Sequence, residues 1–134
     1  MSEAHFREVG ATATVTKQIS EADVALFGLV TKDDLMNGDD PPPPVRQPRQ
    51  AAPFPMLAAV LASAAARHLP RPDLARFERQ VVEFAAPAYT DDTLSATAEI
   101  AAYDRASGSL RIRAHCDNQE GVRLAEGEFI LKDE

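Results

Sequence analysis

The sequence predicts an α+β domain in which one antiparallel sheet curves around a single long helix. Three observations lead there. In the run of 14 residues from Met56 to Leu69, 11 are Met, Leu, Val or Ala. A helix apolar on nearly every side is one surrounded by other structure, since it has no face to offer water. Four segments of strand character, separated by turn residues, follow this run; one strand and a shorter helix precede it. Curling the sheet about the helix is the economical way to bury the apolar faces of both.

Taken in order, Ala11–Lys17 (ATATVTK) alternates and is rich in β-branched residues, which predicts the first strand. Ser20 then offers an N-cap, with Asp23 as a short capping-box partner and Ile19 and Val24 placed for a hydrophobic staple. The helix that follows, Glu21 to about Val30, carries Val24, Phe27 and Val30 on one face. Residues 31–55 differ in kind, holding seven of the ten prolines and four aspartates. Pro41–Pro44 excludes regular structure and favours a short polyproline II segment, read here as a stiff loop. A connection of this length is characteristically functional or disordered.

The long helix comes next, and Leu69-Pro70-Arg71-Pro72 stops it. It is too short to span a membrane and contains Ser63, Arg67 and His68. Phe77–Phe84, Thr93–Ala102, Ser109–Cys116 and about Val122–Leu131 read as strands, the last three joined by hairpins at Asp104–Gly108 and Asp117–Gly121.

Length and composition fit one domain over residues 1–134, with a core of Ala, Val, Leu and Ile. A net charge of −7 argues against nucleic acid or an anionic membrane as the main partner. The single cysteine, Cys116, excludes an internal disulfide framework and a multi-cysteine zinc site, and reads as a small strand residue. No apolar targeting segment opens the chain, so a cytoplasmic location is expected. His68, near the end of the long helix, reads as a capping or surface residue. No histidine spacing fits a metal site.

The chain resembles the MaoC-like hotdog proteins, the family of (R)-specific enoyl-CoA hydratases and related dehydratases. Residues 14–30 (TVTKQISEADVALFGLV) are similar to the family's opening strand and first helix. MLAAVLASAAARHLPRP is similar to its central helix and the turn after it. FERQVVEFAAPAYTDDTLSATAEI resembles its strand, Pro, Gly-Asp-Thr-Leu, strand signature, and CDNQEGVRLAEGEFIL its closing hairpin. The resemblance implies a hotdog fold, no cofactor, and addition of water to a trans-2-enoyl thioester or the reverse. It also implies pairing edge to edge with a second hotdog subunit, as a homodimer or a heterodimer.

The family's chemistry uses an Asp and a His in a D-x-N-P-x-H segment to activate water. It also uses the backbone N–H of the Gly in an H-G-M segment, at the head of the central helix, to polarise the carbonyl. Carried over residue by residue, the Asp falls on Asp33, the Asn-Pro on Leu35 and Met36, and the His on Gly38. H-G-M becomes Phe54-Pro55-Met56, and a serine common one turn into the helix is Val60. Gly38 has no side chain to act as a base, and Pro55 has no N–H. The resemblance therefore marks Asp33 as the catalytic candidate and Phe54, Pro55, Met56 and Val60 as substrate-contact candidates. Met56 retains an amide that points differently.

Three functions stay open. One is a non-catalytic subunit or pseudoenzyme that binds an acyl thioester or similar apolar small molecule. The second is an enzyme with a repurposed pocket using Asp33 as acid or base. The third is an active hydratase.

Overall fold

The computed structural model describes residues 8–31 and 50–132. Its elements are β1 (Thr12–Gln18), α1 (Glu21–Thr31), α2 (Phe54–Ala66), β2 (Arg76–Phe84), β3 (Thr93–Asp104), β4 (Ser109–Asp117) and β5 (Arg123–Lys132). A 3-10 turn at Pro72–Leu74 precedes β2. Each expected strand and helix is present with its ends slightly shifted.

The strands form one five-stranded sheet in the order β1-β3-β4-β5-β2, every neighbouring pair antiparallel. The expected curved antiparallel sheet around a long central helix is thus the observed architecture. The two hairpins close on Gly108 (φ 75°) and Gly121 (φ 77°), a backbone region that glycine enters without steric cost. β1 and β2, separated in the chain by α1 and α2, are the opposite edges of the sheet.

Period-2 alternation puts one side of β3, β4 and β5 inward. Ala96, Ala98 and Ile100 meet Leu110, Ile112, Ala114 and Cys116, then Ala125, Phe129 and Leu131, all buried, while Leu124 is buried at the register shift that opens β5. Against them α2 presents Met56, Leu57, Leu61, Ala64 and Ala65. Alanines on both layers let the helix lie close to the sheet, and Leu57 and Leu61, fully enclosed, contribute roughly 1.5–3 kcal/mol each. The helix is not enclosed on every side as its composition predicts: Pro55, Ala59, Ser63 and Arg67 form an exposed stripe away from the sheet. Of these only Ala59 counts toward the apolar run, so the burying face is a single one and Ser63 and Arg67 mark the side away from it.

The capping box of α1 forms reciprocally. The Asp23 amide donates to Ser20 Oγ at 3.0 Å and the Ser20 amide to Asp23 Oδ2 at 2.9 Å. Val24 is buried and Phe27 partly so, but Val30 is 74% exposed, so the expected three-residue face is buried only in part. His68 also differs from expectation. It is buried, and its Nε2–H donates to the Ala98 carbonyl at 2.8 Å, tying the end of α2 to β3. Among the described residues no helix is long and apolar enough to cross a membrane.

Candidate functional site at the head of the central helix

The segment leading into α2 is held by the turn between β2 and β3. The Gln50 amide donates to Thr90 Oγ1 at 3.0 Å, the Thr90 amide to the Gln50 carbonyl at 2.8 Å, and the Ala52 amide to the Ala88 carbonyl at 2.8 Å. The same turn grips the end of β1, where Ile19 donates to the Asp92 carbonyl at 2.9 Å and accepts from the Asp91 amide at 2.7 Å. Asp92 is buried, and its carboxylate accepts from the Tyr89 amide at 2.9 Å and from Gln119 Nε2 at 3.0 Å. This is the stretch that resembles Gly-Asp-Thr-Leu. Asp91 stands at the glycine position in the left-handed region, φ 77°. The aspartates Asp91 and Asp92 thus fix the scaffold on which the helix head sits.

Pro53 caps α2 without a side-chain hydrogen bond. An α-helix begins with four amides that lack intrahelical partners, and these are the groups that could meet a substrate oxygen. Here Pro53 and Pro55 have none, and the Met56 amide donates to the Pro53 carbonyl at 2.9 Å. The different direction allowed for the Met56 N–H is therefore taken up by the cap itself.

Met56 and Val60 line an apolar groove of about 240 Å³ between α1 and α2, with Ile19, Leu26, Phe27 and Val30 opposite. At its rim Lys17 Nζ lies 3.1 Å from Asp23 Oδ2. The Ser20 backbone amide and then the Lys17 ammonium hold the Asp23 carboxyl below the usual carboxylate range. The rim charges thus compensate one another and leave an apolar interior.

The other candidates lie elsewhere. Phe54 is exposed and packs on Phe84 of β2 at a ring-centroid distance of 5.1 Å, and Pro55 belongs to the outward stripe. Asp33 lies outside the described residues, as do Leu35, Met36, Gly38 and Pro41–Pro44. Leu26 of the groove wall was not singled out from the sequence; its apolar i, i+4 pairing with Val30 is the signal that marks it.

Cys116 is buried on the concave face, and burial followed by the neighbouring Asp117 pushes its thiol up to about 11. A larger dish of about 750 Å³ lies on the outer face of the sheet, where Glu99, Arg113 and Glu128 stand opposite one another across β3, β4 and β5. None of the candidate residues lines it. Among the described residues no group of three or more His, Cys, Asp or Glu is placed to hold a metal.

No protein-family model and no curated protein sequence matches the chain. Solved structures do match. An (R)-hydratase from A. caviae involved in PHA biosynthesis is 21% identical with a TM-score of 0.77, covering 95% of this chain and 97% of its own. The R-hydratase PhaJ1 from Pseudomonas aeruginosa is 24% identical, TM-score 0.75, covering 95% and 83%. The ChsH1-ChsH2 complex from Mycobacterium tuberculosis matches at 14% identity and TM-score 0.71, covering 95% and 98%.

Proposed function

We propose that this chain, which has the hotdog fold, binds an acyl thioester or a similar apolar small molecule without catalysing ordinary enoyl hydration. The observation that carries this reading is the head of α2, where position 55 offers no N–H and the Met56 amide is bonded to Pro53. Loss of one oxyanion donor costs on the order of 10²–10³ in rate. Loss of the acid–base partner, at Gly38, costs about 10²–10⁴ more. A pocket that lacks the donor at position 55 but keeps its apolar wall is suited to holding a chain rather than transforming it.

The groove supports the ligand class. Its wall is aliphatic and aromatic, its rim charges are paired, and it has room for about eight water-sized groups, which suits a short acyl chain. The partner in this reading is a second hotdog subunit joined at a sheet edge, as a homodimer or a heterodimer, since an unpaired edge strand is a pairing template.

Titration calorimetry with crotonyl-CoA, octanoyl-CoA and free octanoate tests the reading. Saturable binding of at least one, weakened about tenfold or more by Val60→Phe in the groove wall, is expected. Binding that ignores Val60→Phe moves the ligand elsewhere, and no binding of any of the three contradicts the reading.

A further inference from the structure

We propose that the groove between α1 and α2 takes a free short-chain carboxylic acid, with its carboxylate on the Lys17 ammonium and its chain along Met56 and Val60. This rests on the reading of the groove as a binding site and names the head group it selects. Lys17 belongs to the inner side of β1. Thr14 turns outward, where its hydroxyl meets that of Thr97 at 3.2 Å, so by alternation Val15 and Lys17 face the helices. Val15 packs on the core, and Lys17 stands opposite the buried Leu94. The inward side of an antiparallel sheet is ordinarily apolar. Here it brings an ammonium to the mouth of an apolar groove.

The ammonium has capacity for a second anion. It carries three N–H donors, of which the contact with Asp23 Oδ2 at 3.1 Å engages one. Asp23 does not depend on that contact. The same oxygen accepts from the Ser20 amide at 2.9 Å, and this backbone bond is the larger cause that holds the carboxyl below the usual range. The Lys17 side chain is half exposed, so its remaining donors can turn from water to a ligand carboxylate without unmaking the helix cap. The Asp23 charge opposes a second anion, and water screens both that repulsion and the attraction to Lys17. The preference for an acid over a neutral isostere is therefore modest.

The interior decides the rest of the ligand. Ile19, Leu26, Phe27, Val30, Met56 and Val60 carry no side-chain N–H or O–H, so no side chain of the inner wall offers a thioester carbonyl a donor. The cation stands at the rim, where a carboxylate keeps its contact with water. Leu26 and Val30 are largely exposed, and chain atoms laid on them take apolar surface out of water. A volume of about 240 Å³ matches about eight water-sized groups, and hexanoate is an acid of that size.

The test is titration calorimetry of the full chain at about pH 7 with hexanoate, hexanamide and hexylammonium, which share a chain and differ in head charge. Hexanoate is expected to bind about three- to fivefold more tightly than hexanamide, and hexylammonium more weakly than either. Lys17→Gln should remove the difference between acid and amide, Lys17→Arg should keep it, and about 0.5 M salt should shrink it. Val60→Phe should weaken acid and amide alike. Equal binding of acid and amide, or a preference that survives Lys17→Gln, overturns the head-group assignment; if Val60→Phe still weakens both, the groove reading stands. Tighter binding of hexylammonium makes Asp23 the head partner and also overturns the assignment. No saturable binding of any of these ligands, or of the thioesters above, overturns the groove reading and the assignment with it.

Discussion

Gly127 of β5 lies so close to β2 that a Cβ on it would sit 2.6 Å from the Val81 carbonyl oxygen and 3.1 Å from a Val82 methyl. The atom met first is backbone, so the strand itself has to move. Gly127→Ala is expected to cost about 1–3 kcal/mol in urea unfolding, by overpacking. An unchanged unfolding midpoint would contradict this close packing.

His68 reads in the sequence as a capping or surface residue, and the structure buries it. A carbonyl only accepts, so the Nε2 that faces Ala98 carries the proton. Removing the ring leaves that buried carbonyl without this donor. His68→Leu is therefore expected to lose about 1–3 kcal/mol, measured by urea denaturation.

Asp91 holds a positive φ of 77° that glycine adopts at lower cost. Asp91→Gly should stabilise the fold by about 0.5 kcal/mol, and Asp91→Ala should destabilise it by about 0.5–1 kcal/mol, since alanine lacks the tolerance of aspartate for this region. Thermal unfolding of the two variants reads both signs.

Cys116 keeps its proton to about pH 11 in the fold, against an ordinary value of 9.0. Between those values the unfolded chain has released a proton that the folded chain retains, so stability falls as pH rises through the window. Urea unfolding between pH 8 and pH 11 should show a steeper decline in the wild type than in Cys116→Ala. The native thiol should resist a thiol reagent at about pH 8 and react once the chain is denatured.

Much of the fold was legible because its signals are local. Alternation in Ser109–Cys116 and Thr93–Ala102, the Ser20–Asp23 box and the Leu-Pro stop after α2 each act within a few residues, and each is present in the structure. What was not legible depends on contacts distant in sequence. Nothing near His68 announces Ala98, thirty positions away. Within the exposed stripe on α2, Ala59 gives no outward signal because alanine serves buried and open positions equally, whereas Ser63 and Arg67 do. At the site, Pro55 could be read directly as a missing donor, but engagement of the Met56 amide is a matter of cap geometry. The wall supplied by Leu26 depends on how α1 lies against α2.

The central claim is that the head of α2 no longer polarises a thioester. Its most direct test is the rate of crotonyl-CoA hydration by the purified chain, beside Asp33→Asn. The account predicts no turnover above the uncatalysed rate and no difference between the two proteins. Robust turnover by the wild type, abolished in Asp33→Asn, would contradict it.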